Sequence, residues 1–253
     1  MTDPVGVHSF ALRPLQARPD WRALLLAVTL LLTPLGPVAC SAQGPSVELG
    51  CGHSGVPCLK GTALISLQTS KGEIQLSLDG EAAPLTAGNF VDLVRRGVYN
   101  GTVFHRVVRE PVPFVVQGGD PQSADPKVAP DLIGMGNFID PSSGQPRSLP
   151  LELFLQGESS PRYGQITAGP GQQARLKLPH QRGSLAMARS EDLNSASAQF
   201  YIALRALPEL DGRYAVFGRV SQGMDVVERI SQGDRLISAR LLQGGTLVGG
   251  KTP

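Results

Sequence analysis

Three separated segments hold the side chains that could do chemistry: Phe104-His105-Arg106, Phe114-Val115-Val116-Gln117-Gly118-Gly119-Asp120, and Ala186-Met187-Ala188-Arg189 leading to Gln199-Phe200-Tyr201. They set one cation and one long amide among apolar and aromatic residues, with no acid–base dyad and no cluster of metal ligands. A guanidinium keeps its charge at any working pH and an amide does not titrate. No residue in the set needs to exchange a proton near neutrality. The arrangement suits a reaction in which no covalent bond forms or breaks, carried by shape, desolvation and one charged hydrogen bond.

Neighbouring residues have blander readings. An isolated strand arginine is usually a solvated charge, so Arg106 gains its interest only from the company it keeps. His105 adjoins Arg106 on a strand and should point to the opposite face as a structural residue. Phe104, Phe200 and Met187 read as core by the same alternation. Gly118-Gly119-Asp120 reads as a turn, since no helix follows to make a phosphate cradle. His180 sits in a loop and carries no signal.

The elements that must position these residues are mostly short strands. Ala63–Thr69 and Glu73–Leu78 alternate around Ser70-Lys71-Gly72 as a hairpin. Pro84 opens a helix whose Ala87, Phe90, Val91 and Val94 share one face, and Gly97 closes it. Strand character returns at Thr102–Val108, Phe114–Gln117, Gly183–Ala188, Gln199–Leu204 and Ala215–Val220, and Met224–Ile230 is a short amphipathic helix. Residues 121–181 are rich in Gly and Pro and only patchily periodic, and are expected to be surface loops with one or two short strands such as Leu149–Leu155. Many short strands with two convincing helices predict a mainly β protein, a closed antiparallel barrel whose closure removes exposed edges.

The chain has 253 residues, 41% apolar and 17% charged, with net charge +2. That is ordinary globular composition. The near-neutral balance and scattered arginines exclude a nucleic-acid stripe. Arg13, Arg18 and Arg22 precede an apolar run of about ten residues, Ala23–Leu32, suited to a signal peptide and too short to span a bilayer. Val38-Ala39-Cys40-Ser41 follows, similar to a lipoprotein processing site at which Cys40 would be lipidated, although Pro37 stands where that motif usually has Leu. Simple cleavage near Ala39 or Ala42 is the alternative. With Cys40 lipidated, Cys51 and Cys58 remain as an even pair, either a disulfide in an oxidising compartment or two free thiols. Read with His53 as metal ligands they fall short of the four that a structural zinc needs, so no metal is expected. The resulting plan is a signal peptide at 1–39, a flexible tether at 40–61, a folded domain at 62–245 with an insertion at 121–181, and a C-terminal tail at 246–253.

Over roughly Ala63 to Ser231 the chain resembles the cyclophilin family of peptidyl-prolyl cis-trans isomerases, and most of all its cyanobacterial or thylakoid-lumen branch. The resemblance rests on the three segments, in the same order and at nearly the same spacings. It implies an eight-stranded antiparallel barrel capped by two helices, no cofactor, and proline-containing polypeptides as substrates. It puts the catalytic arginine at Arg106 and the hydrophobic pocket at Phe114, Val115, Tyr201 and Leu210. Substrate-binding amides fall at Gln117 and Gln199, and the backbone-contact strand at Ala188, Arg189 and Ser190. Val115 stands where Met is common, Glu209 where animal members have Trp, and Tyr214, at a substrate-binding position, where the family usually has His. Arg109-Glu110-Pro111-Val112 resembles a small insertion.

The residues can support the implied chemistry. The barrier to amide rotation is about 18–20 kcal/mol, and uncatalysed X-Pro exchange takes tens to hundreds of seconds. Reaching roughly a millisecond needs about 7 kcal/mol, while one charge-assisted hydrogen bond contributes about 1.5–3 kcal/mol. Arg106 is therefore insufficient alone, and a desolvated pocket that fits the half-rotated imide must supply the rest. The competing expectation is a membrane-tethered chaperone or assembly factor, weakly active or inactive, on the same fold.

Overall fold

The computed structural model describes residues 50–51, 55–167 and 169–250. The signal peptide, Cys40, the first part of the tether and His53 lie outside the described residues. Apolar–polar alternation makes β1 (Cys58–Thr69) and β2 (Gly72–Asp79), which pair as a hairpin. Helix α1 (Pro84–Arg95) follows, then the hairpin of β3 (Arg106–Val108) and β4 (Val115–Gly118). The long segment contains two minimal hairpins, β5 (Ile139–Asp140) with β6 (Gln145–Pro146) and β7 (Glu152–Leu153) with β8 (Arg162–Tyr163), and a one-turn helix, α2 (Pro170–Gln173). Strands β9 (Ser184–Met187), β10 (Phe200–Ala203) and β11 (Val216–Gln222), helix α3 (Met224–Arg229) and strand β12 (Leu236–Val248) complete the chain.

Eight of these strands form one antiparallel sheet in the order β12-β1-β2-β11-β9-β10-β4-β3. Strand number and sense agree with the expectation; the strand order ends in β12 and β3, and an isolated antiparallel bridge pairs Val103, ahead of β3, with Arg235, ahead of β12. The expected strand from Thr102 splits in two. Ahead of β3, Gly101 N donates to Leu236 O and Leu236 N to Thr102 O, both at 2.8 Å, and Phe104 N donates to Asp234 O at 2.8 Å. These bonds lead the chain from β12 into the site hairpin.

Two boundaries move. Cys58, Leu59 and Lys60 pair with Val248, Leu247 and Thr246, so the tether ends before 58 rather than at 61, and residues 246–248 belong to β12 rather than to a tail. The sequence masks this pairing because a register shift falls between Lys60 and Ala63. Gly244 sits opposite it at φ +70°, where a Cβ would lie 2.1 Å from the Thr62 carbonyl oxygen. The conformation and the close approach both require glycine.

The residues at 121–181 do more than decorate the surface. Leu149, Leu151, Leu153 and Leu155 are buried there, as are Arg147 and Glu152. Ala83 at the α1 N-cap has no side-chain acceptor. Glu152 supplies one from the long segment, taking hydrogen bonds from Leu85 N at 3.1 Å and Thr86 N at 2.8 Å. Orphan amides of a first turn need such a partner when buried. Arg147 Nη1 donates to Asp92 Oδ2 at 2.7 Å and Asn89 Oδ1 at 3.1 Å, while Nη2 pairs with Asp140 at 2.7 Å. Helix α1 is consequently buried on every side from Leu85 to Val94, beyond the single face that its periodicity predicts.

The two-residue period of the strands separates two clusters. Phe104, Val116, Leu185, Met187, Phe200 and Ile202 join Phe90 and Phe217 in the main core. Val115, Ala186, Tyr201, Ala203, Leu207 and Val216 form a second cluster, with Phe114, Ala188, Leu210 and Tyr214 half-buried against it.

Candidate active site

Consecutive register pairs place the chemical residues in a row. Arg106 on β3 stands opposite Gln117 on β4, Gln117 opposite Tyr201 on β10, and Tyr201 opposite Ala186 on β9. Directly opposed residues share a sheet face. Arg106 is exposed at the end of this row, with its Nη1 3.4 Å from Gln117 Oε1 and its Cζ 5.8 Å from the Phe114 ring centroid. Gln117 Nε2 donates to Gln199 Oε1 at 3.3 Å, and Gln199 Nε2 donates to the carbonyls of Gly134 and Gly136, each at 2.9 Å. A chain of amides thus runs from the guanidinium to the loop of Gly134 and Gly136, fixing which end of each glutamine faces its neighbour.

Beside this polar chain lies the apolar cluster. Val115 and Tyr201 are 2% and 4% exposed and form its floor, whereas Phe114, Leu210 and Tyr214 remain partly accessible and form walls. The Tyr214 ring meets Tyr201 edge-on at 6.0 Å. Arg189 lies over Tyr214, its Cζ 4.6 Å from the ring centroid, and its guanidinium donates to the carbonyls of Arg213 and Ser190, both at 2.8 Å. Ala188 N donates to Gln199 O at 2.9 Å, which ties the β9 end to the amide chain. Ser190 is exposed, its hydroxyl donating to Ser195 Oγ at 2.7 Å. Glu209 also turns outward, to an ion pair with Arg205 at 2.6 Å that holds its carboxyl below the usual carboxylate range.

Sequence reasoning passed over two residues at this site. His180 is 1% exposed. Its Nε2 lies 2.9 Å from the Tyr201 hydroxyl, and its Nδ1 lies 2.8 Å from Asp211 Oδ1. Burial pushes the His180 imidazole below the ordinary histidine range, opposed by Asp211. Burial likewise raises the Tyr201 phenol well above its ordinary value. Both partners come from irregular segments, so no periodicity could have pointed to them. His105 packs elsewhere: a Cβ on Gly134 would lie 3.0 Å from its ring.

Cys51 and Cys58 are joined by a disulfide that fixes the segment ahead of β1 to that strand. Among the described residues, no three of His, Cys, Asp and Glu cluster to hold a metal ion.

The family model for cyclophilin type peptidyl-prolyl cis-trans isomerases matches residues 64–247. A Synechocystis protein named as a thylakoid lumen peptidyl-prolyl cis-trans isomerase is 36% identical over 208 residues, covering 78% of this chain and 52% of its own length. The chloroplastic peptidyl-prolyl cis-trans isomerase CYP38 of Arabidopsis thaliana is 35% identical over 210 residues, covering 76% of this chain and 45% of its own. The chain therefore spans about half the length of these two curated relatives. Among solved structures, the cyclophilin AquaCyp293 from Hirschia baltica superposes with a TM-score of 0.51 at 24% identity, covering 73% of this chain and 75% of the other, a likeness of fold. With sheet order, site row and family model in agreement, the chain belongs to the cyclophilin-type peptidyl-prolyl cis-trans isomerase family.

Proposed function

We propose that this chain accelerates cis–trans rotation of X-Pro bonds in exported polypeptides. The observation that carries this reading is the convergence of Arg106, Phe114 and Gln117 at the edge of the cluster built on Val115, Tyr201, Leu210 and Tyr214. The proline ring enters the apolar cluster and gives up its water. Gln117 and Gln199 hold the flanking peptide groups, as do the backbone groups around Ala188 and Arg189. As the imide twists, its nitrogen loses conjugation and becomes pyramidal and more basic. Arg106 then donates to that nitrogen or holds the neighbouring carbonyl, an interaction stronger for the twisted imide than for either planar isomer. Nothing in this sequence of events moves a proton permanently.

Export is supported by the basic and apolar leader in the sequence, by the disulfide, which suits an oxidising compartment, and by the lumenal name of the Synechocystis relative. Lipidation at Cys40 would tether the domain to a membrane, and mass spectrometry of the mature N-terminus separates that from simple cleavage. The activity itself is tested by exchange spectroscopy on a short X-Pro peptide with purified protein. Accelerated exchange supports the isomerase reading. Unchanged exchange together with suppressed aggregation of an unfolded chain would instead favour a tethered chaperone.

A further inference from the structure

We propose that His180 and Asp211 are positioning residues for the isomerisation site, fixing Tyr201 so that it offers the substrate proline a ring and keeps its hydroxyl hydrogen out of the pocket. The inference rests on the isomerase reading and assigns a role to groups that the mechanism above leaves unused.

Hydrogen-bonding capacity sets the direction of each bond. Asp211 Oδ1 accepts from His180 backbone N at 2.7 Å and lies 2.8 Å from His180 Nδ1. A carboxylate only accepts, so the imidazole proton sits on Nδ1 and leaves Nε2 as an acceptor. The Tyr201 hydroxyl, 2.9 Å from Nε2, must then donate to it. The two rings lie nearly parallel, with 7° between their planes. Asp211 directly follows Leu210, and His180 O accepts from Leu207 N at 3.1 Å. One relay therefore ties together the loop before β9, the pocket floor on β10 and the turn that carries the Leu210 wall.

A phenol donor with no partner in an apolar cluster would hold a water there or suffer the desolvation penalty. Either outcome works against a pocket that must be dry to favour the twisted imide. The relay avoids both while His180 is neutral, which is the form that burial favours. Facing His180 are Asp211 and Glu209 from the turn and Tyr201 from β10, with Tyr214 and Arg189 beyond Tyr201. Protonation of His180 would put a hydrogen on Nε2 and force the Tyr201 hydrogen to turn toward the pocket. Turnover should therefore fall on the acid side, below the ordinary histidine range.

The test is a cycle of wild type, His180→Ala, Tyr201→Phe and the double variant, with kcat/KM on a short X-Pro peptide measured across pH. His180→Ala is expected to lose on the order of tenfold where Tyr201 is present and less than about twofold where it is Phe. The acid limb should vanish in Tyr201→Phe. Should His180→Ala fail to fold, Asp211→Ala takes its place in the cycle. Asp211→Asn, which keeps an oxygen for both His180 donors, should retain most of the activity. Equal losses in both backgrounds, or an acid limb that persists without the hydroxyl, would overturn the assignment and leave His180 a role in stability alone. A wild-type protein without turnover would instead remove the isomerase reading, and this inference with it.

Discussion

At Arg106 the chemistry reduces to a single charged donor, and its worth depends on the groups that aim it. Its guanidinium is exposed, so water competes for it until a peptide covers the site. The 3.4 Å contact to Gln117 and the ring of Phe114 narrow the directions it can take. Gln117→Ala would cut the amide chain between Arg106 and Gln199 while sparing the apolar cluster. We expect kcat/KM to fall roughly three- to tenfold, with little change in melting temperature. Arg106, Phe114, Gln117 and Tyr201 were legible in the sequence through the family resemblance of their segments, whereas strand alternation by itself only sets Val115 and Gln117 on one face and separates His105 from Arg106. His180 and Asp211 were not. Their meeting is created by two turns that close over β10, and neither turn leaves a periodic signature.

Among the elements, α1 shows what residues 121–181 contribute. Its first turn is capped by Glu152, and its flank is held by Arg147 between Asp92 and Asp140. Arg147→Ala would take its donor from the buried Asn89 amide oxygen and leave Asp92 with Arg96 alone, and we expect a loss of about 2 kcal/mol in denaturant unfolding, with turnover per folded molecule unchanged. The Asp140 carboxyl is held at about 2, chiefly by its hydrogen bond from Arg147. Because that value lies below the unfolded one, the contribution is complete above about pH 4 and lost as pH falls toward 2. Partial exposure limits it to about 1–2 kcal/mol. In Arg147→Ala this part of the acid dependence should shrink in pH-dependent unfolding curves, leaving what the Ser142 hydrogen bonds to Asp140 hold. Helix α1 could be read from its period, but the layer over it could not, since Arg147 and Glu152 look like ordinary loop charges. Strand β12 escaped notice for a related reason: Gly244-Gly245 breaks its alternation at the point where the chain crosses β1 most closely.

Over the molecule as a whole, the sheet brings the two ends of the domain together. β1 and β12 pair along most of their lengths, and the disulfide anchors the incoming chain at Cys58. The loop it closes is short, so reduction should cost about 2 kcal/mol, seen as a lower melting temperature in reductant. The site row lies on β3, β4, β9 and β10, at the other side of the sheet order, so turnover below the melting transition should not change on reduction. The overall architecture was legible from many short strands and few helices, whereas open or closed edges depend on a few backbone bonds near Phe104 that composition does not encode. The central claim is that the Arg106 guanidinium favours a twisted imide over a flat one. Exchange spectroscopy on an X-Pro peptide, with peptide affinity measured in parallel, tests it most directly. Arg106→Ala should lower the catalysed exchange rate roughly ten- to hundredfold while affinity changes less than about threefold. An exchange rate equal to wild type, or a loss fully accounted for by weaker binding, would contradict the account.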